Sequence, residues 1–167
     1  MMCKAGSLIQ AVYPGTFDPF TLGHRNVLER ASGLFSHVTV AVAESTRKKT
    51  LFTLEERLLI ARSELKGLDN VDAKPFSGLL RDFCRSGGYR VIVRGIRSGM
   101  DFNYESHMAG VNKMLMPEVE TVFLLTDPRF EFVTSSAVRE LGWLHGPQEG
   151  FLSPAVAAAV AAKFPSD

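Results

Sequence analysis

A threonine, a glycine and a histidine stand together where an apolar segment gives way to a helical pattern. Thr21-Leu22-Gly23-His24 closes a turn that contains two prolines and a glycine, and the apolar spacing after His24 is that of a helix. The first turn of a helix has backbone N–H groups without intrahelical partners and a partial positive charge, which stabilise an anion. Residues 13–24 therefore predict a phosphate-binding turn, to which the imidazole adds a further donor.

A second, basic turn follows the apolar segment 91–93. Its sequence is Arg94-Gly95-Ile96-Arg97. An arginine at the end of a buried strand needs a partner, and its planar guanidinium is well suited to a phosphate. We therefore expect Arg94 and Arg97 to take part in binding.

Other polar segments could serve the same site but also have an ordinary structural interpretation. Lys48 lies in a polar, basic loop of a kind that is common on protein surfaces. Ser135 and Ser136 follow Thr134 at the start of a helix, where hydroxyls often cap free N–H groups. Asp101 could serve the site, or its charge could simply stabilise the positive N-terminal end of a helix dipole. From the residues alone these alternatives stay open.

Composition limits the classes of function. The 167 residues carry 19 Lys and Arg against 18 Asp and Glu, a net charge of +1, and 46% are hydrophobic. One core and one domain over residues 1–167 are expected, with residues 1–7 as a flexible tail. The balanced charge gives no reason to expect binding to nucleic acid or membrane. We find neither a membrane-spanning run nor a secretory signal, and Cys3 and Cys84 make no disulfide framework, so a cytoplasmic location is expected.

Strand and helix patterns alternate along the chain. The predicted strands are 8–13, 37–43, 70–76, 89–94 and 119–125. The predicted helices are 23–35, one that begins after Thr53, 79–85, 102–115, 137–144 and 153–163. This alternation is typical of an α/β, Rossmann-like, doubly wound five-stranded parallel sheet with helices on both faces. Ligands of such sheets bind beyond the carboxyl ends of the strands, so we expect the polar turns to line one crevice. Met108, Met114 and Met116 are interpreted as core or interface residues.

The motifs, taken together and in this order, resemble the nucleotidyltransferase superfamily that carries a Thr/His-x-Gly-His signature. Within it the chain is similar to the phosphopantetheine adenylyltransferases. The resemblance runs from about residue 11 to the last helix. It rests on these segments: Tyr-Pro-Gly-Thr-Phe-Asp-Pro at 13–19, Thr21-Leu22-Gly23-His24, Lys48-Lys49, residues 52–57, Arg94-Gly95-Ile96-Arg97, residues 101–105, residues 115–118 and Ser135-Ser136. The family commonly has Ile-Ser-Ser-Ser where this chain has Val133-Thr134-Ser135-Ser136.

The resemblance implies that ATP and 4′-phosphopantetheine react to give dephospho-coenzyme A and pyrophosphate. It implies His24, Lys48 and Arg97 as catalytic residues, and Mg²⁺ held mainly through the ATP phosphates. The implied phosphopantetheine-binding residues are Thr16, Lys48, Leu80 and Arg94. The implied ATP-binding residues are Thr16, Phe17, His24, Gly95, Ile96, Arg97, Glu105, Phe130, Glu131, Phe132, Val133, Thr134, Ser135 and Ser136. A homo-hexamer and feedback inhibition by coenzyme A are further expectations. We expect direct in-line displacement without an enzyme nucleophile.

Two other functions must be weighed. One is another enzyme of the same superfamily, a nicotinate mononucleotide adenylyltransferase or a phospho-alcohol cytidylyltransferase. Thr21 in place of the first histidine of the signature and the Arg-Gly-Ile-Arg turn count against it. The other is a catalytically silent nucleotide-binding regulatory subunit, which would be expected to have lost His24 or Arg97. Both are present.

Overall fold

A computed structural model describes residues 8–45 and 49–165. Five strands form one parallel sheet in the order β3-β2-β1-β4-β5. The strands are β1 (Gln10–Gly15), β2 (His37–Ala43), β3 (Val71–Phe76), β4 (Val91–Ile96) and β5 (Glu120–Leu125). The helices are α1 (Leu22–Ser32), α2 (Leu54–Glu64), α3 (Leu80–Gly87), α4 (Gly99–Leu115), α5 (Ser135–Trp143) and α6 (Pro154–Ala161), with a short 3₁₀ turn at Pro128–Phe130. The predicted α/β class and parallel topology are confirmed.

The core lies on both faces of the sheet, as expected for a doubly wound fold. Along β1, Ala11 and Tyr13 belong to one apolar cluster, which includes buried residues of α1 and α2, and Val12 belongs to a second. That second cluster contains Cys84 of α3 and Met116, which directly follows α4. The alternation follows from the two-residue period of a strand, so β1 is covered on both sides.

The strands that lead to the polar turns end later than the sequence patterns predict. β1 continues through Gly15 and β4 through Ile96, whereas the predictions ended both two residues earlier. The neighbouring strands explain the difference, because Gly15 is in register with Val42 and Ile96 with Leu125. Pairing in the sheet outweighs the local turn signals of proline and glycine.

The two central strands separate toward their carboxyl ends. β1 pairs with β4 only at Ala11 and Val12, while its pairing with β2 continues to the end of the strand. The strand order also reverses between β1 and β4, which is the position where ligands bind in this class of sheet. The separation opens a space beyond Val12 into which side chains of β4 can reach.

Helix boundaries follow capping side chains. The capping box predicted at Thr53 is confirmed, since its hydroxyl accepts from the Glu56 N–H and the Glu56 carboxylate accepts from the Thr53 N–H. α4 begins three residues before its predicted start because Ser98 caps the Asp101 N–H. In the described part of the chain, no helix is both long enough and apolar enough to cross a membrane.

Helix α4 presents an apolar surface that the single chain leaves uncovered. No residue of this 17-residue helix is buried, and Met114 is 86% exposed. Leu125, at the end of the neighbouring edge strand β5, is 70% exposed. Of the methionines interpreted as core or interface residues, Met116 is fully buried in the core and Met114 lies on the surface. The uncovered apolar residues on α4 are Met100, Phe102, Tyr104, Val111, Met114 and Leu115.

Candidate active site

The predicted crevice is present at the carboxyl ends of β1 and β4 and has a volume of about 360 Å³. It brings together the two turns that the sequence singles out and the start of α5. The predicted site residues that line it are Thr16, Phe17, His24, Arg94, Gly95, Arg97, Glu105, Val133, Thr134, Ser135 and Ser136.

Other predicted site residues lie elsewhere. Leu80 is partly buried and packs against the second apolar cluster. Ile96 is 3% exposed, while Phe132 projects from the surface with 77% exposure. These residues, with Phe130 and Glu131, do not line the crevice, so their roles stay predictions. Lys48 lies outside the described residues, and its neighbour Lys49 lines the crevice.

His24 is fixed by a capping box at the start of α1. Its Nδ1 accepts a hydrogen bond from the Thr21 N–H at 3.0 Å, and the Thr21 hydroxyl accepts from the His24 N–H at 3.3 Å. The imidazole thus takes the place that Glu or Gln occupies in the usual box. The same ring packs against aromatic neighbours, with centroids 5.0 Å from Phe17 and 5.4 Å from Phe20. Its orientation is therefore set before any ligand binds.

These contacts also determine the protonation state of His24. Burial, with smaller contributions from the charges of Arg97 and Arg94, lowers its pKa from 6.5 to about 3, so the ring is neutral near pH 7. Because a backbone N–H can only donate, Nδ1 must hold a lone pair, and the single ring proton is on Nε2. His24 can therefore donate one hydrogen bond to an anion in the crevice while remaining uncharged.

Arg94 is held in a partly buried ion pair. Its Nε and Nη2 donate to the two carboxylate oxygens of Glu105, with the Nε contact at 2.7 Å, and its Nη1 donates to the Pro14 carbonyl at 2.6 Å. Although burial lowers the pKa of Arg94, the hydrogen bonds and charge of Glu105 raise it overall. The guanidinium thus bridges the gap where β1 and β4 separate, and α4 supplies its carboxylate.

Arg97 has a similar partner one turn earlier on α4. Its Nε donates to Asp101 at 2.8 Å and its Nη2 at 3.1 Å, and its backbone N–H also reaches that carboxylate at 3.3 Å. Asp101 therefore positions an arginine in addition to lying in the first turn of a helix. Both basic residues of the second turn meet a carboxylate within the chain, which the sequence analysis did not include.

The hydroxyls at the start of α5 have structural partners. Thr134 is the cap and accepts from the Ala137 N–H at 2.9 Å. Ser135 donates to the Pro19 carbonyl at 2.8 Å, which joins α5 to the first turn. The N–H groups of Ser135 and Ser136 precede the capped Ala137 N–H in the first turn of α5, where backbone N–H groups have no intrahelical partner. The ordinary capping interpretation thus holds for Thr134, and the helix end still offers donors.

Some crevice residues were missed by the sequence analysis. Arg139 donates to the Asp18 carbonyl at 2.6 Å and to the Ser136 hydroxyl at 3.2 Å. Its spacing of three from Ser136 on a helix was a usable signal. Tyr13 lines the crevice as well, and burial raises the pKa of its phenol. Tyr13 lies within the predicted turn 13–24 but was given no role of its own there.

Comparison with known proteins shows the family of this chain. Residues 12–141 match the Cytidylyltransferase-like family. A phosphopantetheine adenylyltransferase of Ralstonia pickettii is 49% identical over 149 residues, which is 89% of each chain. One of Methylobacillus flagellatus is 49% identical over 150 residues, covering 90% of this chain and 94% of the relative. The chain belongs to the phosphopantetheine adenylyltransferase family.

Solved structures support the fold of this family member. A putative nicotinate-nucleotide adenylyltransferase from Vibrio parahaemolyticus superposes with a TM-score of 0.70 at 16% identity, and 93% of each chain is covered. A Plasmodium falciparum nicotinic acid mononucleotide adenylyltransferase gives 0.69 at 13% identity, covering 93% of this chain and 96% of that one. At such identities the likeness concerns the fold.

Proposed function

We propose that this chain transfers the adenylyl group of ATP to 4′-phosphopantetheine, giving dephospho-coenzyme A and pyrophosphate in coenzyme A biosynthesis. The observation that carries the proposal is the convergence of a neutral histidine donor, two oriented arginines and the first turn of α5 on one crevice. This arrangement suits two phosphorylated substrates, and the adenylyltransferases at 49% identity support the choice of reaction.

The reaction is a direct in-line displacement. An ionised oxygen of the acceptor phosphate attacks the α-phosphorus of ATP, a new P–O bond forms, and the bond from the α-phosphorus to the bridging oxygen breaks. Pyrophosphate leaves with the electron pair. The attacking oxygen needs no base, so the chain aligns two anions and stabilises the charge that moves between them.

His24 stabilises that charge as a hydrogen-bond donor. His24 lines the crevice and its Nδ1 is engaged with the Thr21 N–H, which leaves the Nε2–H as the ring donor available to a ligand. A second proton on the ring would break that backbone hydrogen bond and the capping box. The residue therefore acts by donating to a phosphate oxygen and does not need to transfer a proton.

The arginines keep donors free while paired with carboxylates. A guanidinium has five N–H bonds, of which Arg94 uses three and Arg97 uses two in side-chain hydrogen bonds. The remaining donors can reach phosphate without loss of either ion pair. We assign Arg94 to phosphopantetheine and Arg97 to ATP, with Lys48 beside the acceptor. In this assignment Glu105 orients Arg94, and a direct contact between Glu105 and ATP stays a prediction.

We propose that Mg²⁺ arrives with the nucleotide. Among residues 8–45 and 49–165, no group of three His, Cys, Asp or Glu side chains is close enough to hold a metal ion. The crevice acids Glu105 and Asp101 are already bound to arginines, and Asp18 accepts from the backbone N–H groups of Leu51 and Phe52. These facts support coordination through the ATP phosphates. When bound there, the ion neutralises charge on the phosphoryl oxygens.

We further propose assembly as a homo-hexamer in the cytoplasm, with feedback by coenzyme A. The uncovered apolar surface of α4, continued by Leu125 of β5, supports an interface, because large exposed apolar patches mark association sites. Coenzyme A contains the phosphopantetheine arm and would compete for the same crevice. The free thiol of Cys84 agrees with a reducing compartment.

A pyrophosphate-release assay with three acceptor and nucleotide pairs tests the proposed reaction. ATP is offered with 4′-phosphopantetheine and with nicotinate mononucleotide, and CTP with a phospho-alcohol. Release with the first pair alone, together with dephospho-coenzyme A as product, is expected. Release of pyrophosphate with another pair would identify the chain as a different enzyme of the superfamily. ATP binding without release from any pair would identify a silent nucleotide-binding subunit.

The variant His24→Ala tests the assigned role of the imidazole. With both substrates saturating, the loss of one oriented donor should lower kcat by about 10²- to 10³-fold. Near-normal turnover would show that His24 does not stabilise the transition state.

A further inference from the structure

Arg57 is a buried cation whose side-chain partners are backbone carbonyls. It lies in the first turns of α2, is 2% exposed, and is among the largest fully buried side chains of the described chain. Its Nη1 donates to the carbonyls of Thr16 and Ala43, each at 2.7 Å, and its Nε donates to that of Phe52 at 3.2 Å. One guanidinium therefore joins the turn after β1, the end of β2 and the start of α2.

Asp18 holds the same region from the other side. It is 4% exposed, and its two carboxylate oxygens accept from the N–H groups of Leu51 and Phe52, both at 2.9 Å. Burial lowers the pKa of Arg57 overall, and the charge of Asp18 offsets part of that effect. Segment 49–52 thus has its backbone bound by a buried anion and a buried cation.

This doubly bound segment forms part of the crevice wall. Lys49 and Thr50 line the crevice, and they directly precede Leu51 and Phe52, whose backbone N–H groups are bound by Asp18. The turn that carries Thr16 lines it too. Arg57 contacts both the Thr16 turn and segment 49–52, and Asp18 lies in the turn and contacts the segment. Their hydrogen bonds therefore set the distance between these two walls.

We propose that Arg57 and Asp18 are positioning residues for adenylyl transfer, which set the place of segment 49–52 against the Thr16 turn and hence the width of the acceptor side of the crevice. The proposal rests on the proposed function. A planar guanidinium suits this task because it directs several N–H bonds at fixed angles, which a flexible ammonium cannot do. Neither residue touches a substrate in this proposal, so both act through the backbone that they hold.

The effect should fall on one substrate more than on the other. On the ATP side, Gly95 is held by the pairing of β4 with β5 and Arg97 by Asp101 of α4, and neither of these contacts involves Arg57. The first turn of α5 is anchored through Ser135 to Pro19. The ATP side therefore keeps its supports when Arg57 changes, while segment 49–52 loses one of its two anchors.

Steady-state kinetics of Arg57→Met, Arg57→Lys and Asp18→Asn test the proposal, with Arg62→Lys as the matched control. Arg62 is an exposed arginine of the same helix that donates to Ala73 on the β3 side. For Arg57→Met, kcat/KM for phosphopantetheine should fall by about 10- to 100-fold while KM for ATP changes by less than about threefold, since small displacements of a positioned group are costly. Arg57→Lys should fall between this variant and the wild type, and Arg62→Lys should match the wild type.

Each outcome decides one question. All assays are run well below the Tm of each variant, after circular dichroism has confirmed folding. If the wild type produces dephospho-coenzyme A and the Arg57 variants lower Tm but leave both KM values and kcat unchanged, the positioning role is wrong and the proposed function stands. Equal losses for both substrates would also overturn it. If Arg57→Met fails to fold, Arg57→Lys gives the same comparison, whereas Asp18→Asn also removes the ion pair with Arg139 (Nη1–Oδ2 3.7 Å) and is read only for its effect on phosphopantetheine. A wild type that makes no dephospho-coenzyme A would overturn the proposed function and, with it, the role in that reaction.

Discussion

Replacing His24 by glutamine should remove an acid sensitivity that this side chain gives to folding. The pKa of His24 is lowered from 6.5 to about 3 in the folded chain, first by burial and then by Arg97 and Arg94. Between these two pH values the unfolded chain binds a proton that the folded chain does not. Stability from this group is therefore fully present above pH 6.5 and is lost as the pH falls toward 3.

The size of the effect follows from the two pKa values. Each pH unit inside this window contributes about 1.4 kcal/mol, so lowering the pH from 7.5 to 4.5 crosses about two units and removes about 2.7 kcal/mol. The ring keeps some contact with solvent, and we therefore expect about 2 kcal/mol in experiment. Glutamine is the right replacement because its side-chain oxygen can accept from the Thr21 N–H and preserve the capping box.

Urea unfolding at pH 7.5 and pH 4.5 measures this difference for the wild type and His24→Gln. The exposed His107→Gln controls for the loss of an imidazole elsewhere. The free energy of unfolding of His24→Gln should fall by about 2 kcal/mol less than that of the wild type between the two pH values. A difference below about 0.5 kcal/mol would refute the reasoning, since His24 would then titrate similarly in the folded and unfolded chains.

Three further predictions concern the supports of the site. Glu105→Gln removes the charge that orients Arg94, so kcat/KM for phosphopantetheine should fall by about tenfold in steady-state assays. An unchanged kcat/KM would show that the Arg94–Glu105 ion pair has no role in the reaction. Thr53→Ala removes the cap of α2, and urea unfolding should show a loss of about 0.5 to 2 kcal/mol with kcat unchanged. No loss would mean that solvent satisfies those N–H groups equally well. Met114→Glu places a charge on the uncovered face of α4 and should give smaller species in analytical ultracentrifugation. Retention of the wild-type mass would place the interface elsewhere.

Local rules were sufficient where the deciding groups lie close in sequence. The Thr53 capping box needs only a partner three residues away, and β2 is a mostly apolar run, so the start of α2 and both ends of β2 were predicted as observed. The Arg97–Asp101 pair has a four-residue spacing, but it spans the turn before α4 rather than a turn within it. Because the helix was predicted to begin at residue 102, the pattern did not indicate this pair.

Features that depend on distant parts of the chain could not be read from local patterns. The late ends of β1 and β4 result from pairing with β2 and β5, which the residues of the turns do not encode. Arg57 was read only as part of a motif, because its three carbonyl partners lie up to 41 residues away. The apolar spacing of α4 predicts a helix but does not say whether its apolar face meets this chain or another.

The paired arginines have a consequence for how the crevice selects among the anions of a cell. Because Glu105 and Asp101 offset the charges of Arg94 and Arg97, and His24 is neutral, these three side chains exert little attraction on a polyanion at a distance, while Lys49 remains on the crevice wall as a cation. The donors of these three side chains act at contact, where their directions must match those of phosphate oxygens. Their part in selecting the substrates among cellular polyanions therefore depends on shape at close range rather than on charge.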